Sequence, residues 1–160
     1  MKNLLQSSIF VTLESQLNEI AKLIESSTVV HLLAPADIEG VLSLSQIECA
    51  LLDNSQNYLR RILPPRRFVS QDNAVTANDS EGLVSHIEPF QEAQNSILIE
   101  GNYIQLVPVS VSVTFSNSTK IHNGAVDCVA ICAALASILS PEGSRAVSYT
   151  HLTLPTKASV

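Results

Sequence analysis

Apolar positions along the chain change period several times, and the changes mark out elements. Leu13, Leu17, Ile20 and Ile24 recur at helical spacing, with Glu14, Asn18, Lys22 and Glu25 between them. That is the stripe of an amphipathic helix, with Thr12 as its N-cap and Ser26-Ser27 as its stop. Thr28 to Leu33 follows, β-branched at first and apolar on both faces except at His31, the pattern of a central parallel strand. Ala34 to Gly40 reads as an acidic loop. From Val41 the helical period returns through Leu44, Ile47, Leu51 and Leu52, with Asn54 as the stop. Tyr58 to Leu63 predicts a second strand, closed by Pro64-Pro65. Residues 70–82 are polar and aperiodic and predict a surface loop. Gly82 to Ile87 predicts a third strand, ended by Pro89.

The second half is first β-rich and then helical. Ile97 to Glu100 and Tyr103 to Phe115 read as strands joined by a tight turn at Gly101-Asn102. Val107, Val109, Val111, Val113 and Phe115 alternate with small polar residues, which predicts a strand with one wet face. Pro108 puts an edge or a bulge in it. Asn123-Gly124 then opens a helix expected over Ala125 to Leu139, closed by Pro141 and Gly143 and apolar enough to lie in the interior. Strands alternating with helices predict an α/β fold with a mainly parallel sheet flanked by helices.

Composition narrows the class. The length of 160 residues suits one domain, and 46% hydrophobic residues with only 4% aromatics imply an aliphatic core. The net charge of −6 disfavours broad binding to nucleic acid, apart from one basic cluster, Arg60, Arg61, Arg66 and Arg67. No apolar stretch has the length of a membrane span; the longest candidate carries Asp127. The three cysteines are an odd number and no secretory signal precedes them, which favours a reducing, cytoplasmic setting. Cys128 and Cys132, four apart in an apolar run, read as small core residues rather than metal ligands, and His31 reads as a core histidine.

One constellation could carry chemistry. Asp37 and Glu39 stand just past the carboxyl end of the first strand, where ligands of open α/β sheets gather. His86 and Glu88 stand at the end of the third. Asp37, Glu39 and His86 could share Mn²⁺ or Mg²⁺ and activate water against a phosphodiester. From spacing alone the ordinary reading is favoured: Asp37 and Glu39 are what the start of any helix attracts, because its dipole favours carboxylates. The chain has no P-loop, GxGxxG, HExxH or GxSxG motif.

The stretch LESQLNEIAKLIESSTVVHLLAPADIEGVLSLSQIECAL resembles the opening of DHH-family phosphoesterases, especially the RecJ-like proteins of archaea. In that family a helix leads into a strand, a His-x-Asp-x-Asp-Gly loop and a second helix. Here the loop is Pro35-Ala36-Asp37-Ile38-Glu39-Gly40: the first Asp and the Gly match, Glu39 stands for the second Asp, and Pro35 for the His. The family's Asp-His-His would fall on Ser85-His86-Ile87, with only the central His kept. Asp72 and Asp79 are the only candidates for an intervening metal-binding Asp. NGAVDCVAICAALASILSPEG is similar to the small-residue helix that follows.

The resemblance implies a DHH-like N-terminal domain over roughly residues 13–143. Its lost ligands imply a catalytically degenerate one, like the family's inactive branch that serves as a scaffold in the eukaryotic replicative helicase. The partners implied are a replication or repair protein, or single-stranded nucleic acid. The alternatives are a divergent Mn²⁺- or Mg²⁺-dependent phosphoesterase or single-strand exonuclease, and an unrelated α/β domain. A parallel sheet with Asp37 and His86 at one edge favours the family over the last of these. Ser148 to Ala158, SYTHLTLPTKA, closely resembles a tail seen where a truncated gene runs into sequencing-adapter DNA. Residues 147–160 are therefore expected to be a non-native tail, and residues 1–146 one incomplete domain.

Overall fold

Leu17, Ile20, Ala21 and Ile24 bring one side of the first helix, α1 (Glu14–Ser26), into the core. The computed structural model describes residues 13–64, 82–114, 119 and 121–141. Thr12, Arg66, Arg67, Asp72, Asp79, most of the expected 70–82 loop, Phe115, Gly143 and the 147–160 tail lie outside the described residues. At the start of α1 the cap position falls on Leu13, whose side chain makes no capping bond.

The chain then runs β1 (Val30–Pro35), α2 (Ile38–Asp53), β2 (Tyr58–Leu63), β3 (Leu83–Ile87), β4 (Leu98–Glu100), β5 (Tyr103–Leu106), β6 (Val109–Thr114), β7 (Ile121–Val126) and α3 (Cys128–Leu139). Five strands form one sheet in the order β2-β1-β3-β5-β4, and β6 and β7 form a separate antiparallel pair. β1 is parallel to both its neighbours, with Leu33 opposite Arg61 on one side and His86 on the other. Only β4 runs antiparallel, against β5. The fold is α/β with a mainly parallel sheet, as the alternation of elements predicts.

Alternation along the strands assigns the faces. Val30, Leu32, Ala34, Leu83, Ile87, Ile104 and Leu106 share one core with the inner sides of α1, α2 and α3. The residues between them, Leu33, Val84 and Leu63, form a small second cluster with Tyr103 on the opposite face. His31, half-buried, stands on that second face. α2 and α3 lie side by side and run in the same direction. Their far ends are tied by Asn54 Nδ2 donating to the Leu139 carbonyl at 2.6 Å and by Ser140 Oγ donating to Asp53 Oδ2 at 2.9 Å. α1 is held to the sheet by the Gln16 amide, which donates to the Ile97 carbonyl and accepts from the Ile97 N–H, at 3.3 and 3.2 Å.

Four boundaries differ from the sequence expectation. β1 continues through Pro35, and the loop after it shrinks to Ala36-Asp37, because Asp37 caps α2 directly: its Oδ1 accepts from the Gly40 N–H at 2.9 Å. The alternating stretch from Tyr103 splits into β5 and β6 at Val107-Pro108, since proline has no N–H to continue a ladder. Asn123-Gly124 does not open a helix but lies in β7, where Asn123 Oδ1 accepts from Ser112 Oγ at 2.8 Å across the hairpin. The last helix starts at Cys128, capped by Asp127, which accepts from the Ala130 N–H at 2.8 Å. Among the described residues no helix is long and apolar enough to cross a membrane.

Two glycines are fixed by opposite needs. Gly101 has φ 58° in the β4–β5 turn, with open space around it. Gly40, in the first turn of α2, has no room: a Cβ there would fall on the Pro35 carbonyl oxygen and lie 2.9 Å from its ring. Gly40→Ala is therefore expected to lower the unfolding free energy by about 1–3 kcal/mol. Gly101→Ala should cost about 1 kcal/mol, from left-handed backbone strain alone. Urea unfolding of both variants checks the order.

Candidate functional site

The carboxyl edge of the sheet is where the sequence places its candidate chemistry. β1 leads through α2 to β2 on one side, while β3 lies on its other side, so the order of strands reverses between β1 and β3. Asp37 and Glu39 stand at the exit of β1, and Glu88 follows β3. α2 and α3 both start at this edge, and Asp37 and Asp127 cap them. The Sγ of Cys128, the first residue of α3, donates to the Leu106 carbonyl at the end of β5, at 3.3 Å. Burial first, and then the carboxylates of Asp127, Glu39 and Glu88, push the Cys128 thiol up to about 12. A thiol held protonated in this way is no nucleophile. Cys132, one turn on, is also pushed well above its ordinary value by burial.

His86 takes part in a different group. Its Nδ1 is 3.1 Å from the Tyr103 hydroxyl and 3.2 Å from Glu88 Oε1, and Glu88 Oε2 accepts from Gln105 Nε2 at 2.7 Å. A neutral ring can either accept from Tyr103 or donate to Glu88 through this nitrogen, not both. Burial lowers the His86 pKa, against the opposing pull of Glu88, and burial raises Tyr103 to about 12. The imidazole is thus neutral near pH 7 and already engaged.

Strand alternation separates these two groups. His86 shares the second face of the sheet with Val84, whereas Ser85 and Ile87 face the helices, both at 0% exposure. Asp37 and Glu39 belong to α2 on the helix side. The three expected ligands share an edge but do not meet at one point. Among the described residues no three His, Cys, Asp or Glu side chains stand close enough to hold a metal ion. Asp37 spends Oδ1 on its cap, while its Oδ2 is buried without a hydrogen-bond partner. That oxygen is a feature suited to a cation, but among the described residues Asp37, Glu39 and His86 do not together fit a Mn²⁺ or Mg²⁺ centre.

Tyr103, Gln105, Asp127 and Cys128 belong to the edge but were not legible as site residues. Asp127 carried a signal, an acid immediately before an apolar helical run. Tyr103 and Gln105 carried none, because their role depends on β5 lying beside β3. Arg60 and Arg61 lie away from this edge, on β2, and both are exposed. Arg60 Nη1 is 3.6 Å from Glu48 Oε1 of α2. Compared with models of known protein families, with curated protein sequences and with solved structures, the chain has no match.

The geometry makes Asp37 a helix cap. Asp37→Ala should lower stability by about 1 kcal/mol while Asp37→Asn, which keeps the acceptor, should lose less than half of that; thermal melts of the pair decide. Ser85 Oγ is buried with no hydrogen-bond partner. Ser85→Ala should therefore be neutral or stabilising by up to about 1 kcal/mol in urea unfolding.

His86 gives the pH dependence. Its folded pKa lies below its unfolded value, so the unfolded chain binds the proton more readily. Stability from this group is present above the ordinary histidine value of about 6.5 and falls as pH drops from there towards the folded pKa. Melting temperature measured from pH 7.5 to 5 should decline less steeply in His86→Gln than in the parent.

Proposed function

We propose that this chain is a catalytically degenerate DHH-like domain that acts as a binding or scaffold module in DNA replication or repair. The observation that carries the proposal is burial at the positions where the family has ligands. Pro35 closes β1 against Gly40, and Ser85 and Ile87 are packed into the helix-side core at 0% exposure. A ligand cannot be restored at those positions without putting a carboxylate or imidazole into an aliphatic core, where an unpaired charge is costly. Support for the DHH-like part comes from β1 and β3 lying adjacent and parallel, with the Asp37 cap and His86 at one edge. The remaining carboxylates have structural work: Asp37 and Asp127 cap helices, and Glu88 holds Gln105.

A divergent Mn²⁺- or Mg²⁺-dependent phosphoesterase is the rival reading, and the orphaned Asp37 Oδ2 is the observation in its favour. Titration calorimetry with Mn²⁺, run beside an assay on short single-stranded oligonucleotides, separates the two. The scaffold reading expects no hydrolysis and no micromolar Mn²⁺ binding. Micromolar binding together with turnover abolished by Asp37→Ala would overturn it.

A further inference from the structure

β2 is the outermost strand on one side of the sheet. Its inner edge pairs with β1 along its whole length, from Val30 opposite Tyr58 to Pro35 opposite Leu63. Among the described residues nothing pairs with its outer edge. Such an edge presents a row of free backbone donors and acceptors and is a template for another strand. Edges of this kind are blunted by proline, a bulge, shortness or charged side chains; β2 is six residues long and of these devices carries only the charged pair Arg60-Arg61, which repels like charge and admits an acidic strand.

Its side chains say what would fit. Leu59 and Ile62 are 60% and 45% exposed, which is unusual for large aliphatic residues on a strand. Between them stand Arg60 and Arg61. Successive strand residues point to opposite faces, so each face of β2 carries one exposed aliphatic and one guanidinium. The side chain of Arg60 remains 63% exposed despite its contact with Glu48, and Arg61 is exposed. In a chain of net charge −6 this doublet is a local exception.

We propose that the outer edge of β2 receives an extended acidic segment of a partner protein, added to the sheet as a sixth strand. The register follows from cross-strand pairing: opposite Leu59, Arg60, Arg61 and Ile62 the incoming strand carries an apolar residue, two consecutive acids and another apolar residue. The pattern is a palindrome and fits in either direction. The two carboxylates fall on opposite faces and each meets one arginine, while each flanking apolar side chain covers one aliphatic. Opposite charges directly across a ladder stabilise it and like charges destabilise it.

The same rule disfavours a second copy. In an antiparallel pair of β2 strands joined through their outer edges, directly opposite residues have the same parity, so the central registers set Arg60 opposite Arg60 or Arg61 opposite Arg61 and bring guanidinium groups face to face. None of these 160 residues supplies the segment either, because no two Asp or Glu among them are adjacent. The occupant we assign is a strand of a partner protein with that acidic pattern. This deepens the scaffold reading by naming the chemistry of its partner.

The test uses the whole chain and fluorescein-labelled nonapeptides, read by anisotropy. A peptide centred on Val-Glu-Glu-Val should bind at least about tenfold tighter than one centred on Val-Lys-Lys-Val or on Glu-Val-Val-Glu, and should weaken with salt. Arg60→Glu with Arg61→Glu should reverse the preference so that Val-Lys-Lys-Val binds better, in protein whose circular dichroism and melting match the parent. If the double variant does not fold, the three-peptide series on the unaltered protein decides alone. Equal binding of the three peptides overturns the proposal. So does a single-stranded oligonucleotide that displaces the peptide and binds more tightly, which assigns the doublet to nucleic acid. Either result leaves the expected absence of hydrolysis standing, so a failure here is distinguishable from a failure of the scaffold reading.

Discussion

The contact between Gly40 and Pro35 sets the geometry on which the rest depends. The first turn of α2 lies so close to the end of β1 that a single added carbon would strike the Pro35 carbonyl. Only at that approach can Asp37 both leave the strand and accept from the Gly40 N–H. The turn is two residues long, and it fixes where α2 lies on the sheet. α3 is then laid alongside α2 in the same direction, tied at its far end through Asn54 and Ser140 and at its near end to β5 through Cys128. One close backbone approach therefore positions two helices and, through them, the whole helix-side core.

How much of this was legible in the sequence differs from element to element. α1, β2, β3 and the β4–β5 turn were readable because period and turn residues agree locally. The strand β7 was not, because Asn123-Gly124 is as good a helix opening as a strand interior until β6 is known to lie beside it. The loop after β1 was read too long because Ala34 and Pro35 look like loop residues; the sheet keeps them because β2 and β3 flank them on both sides. At the carboxyl edge stand Asp37, Glu39 and His86, whose positions along the chain follow from the strand ends. Their separation by face was not readable, because it rests on His86 alternating with two core residues.

This separation also gives the edge its character. Asp37 and Asp127 each give one carboxylate oxygen to a helix cap, the His86 imidazole is engaged, and burial holds the Cys128 and Cys132 thiols protonated. At this edge Asp37 and Asp127 finish helices, and Glu88 and His86 join β3 to β5. The second-face group of His86, Tyr103, Glu88 and Gln105 is a polar patch between β3 and β5, and it ties the loop after β3 to the neighbouring strand.

The tying bonds span very long stretches of chain. Gln16 reaches Ile97 across 81 residues, Asn54 reaches Leu139 across 85, and Asp53 reaches Ser140 across 87. α1 cannot complete its packing until Ile97 has left the ribosome, nor α2 until Leu139 and Ser140 have. Loop closure over such distances has to precede the contacts that reward it, which places this chain among the slower folders of its size. During synthesis the apolar inner sides of both helices wait uncovered, so the nascent chain depends on whatever shields it over that interval.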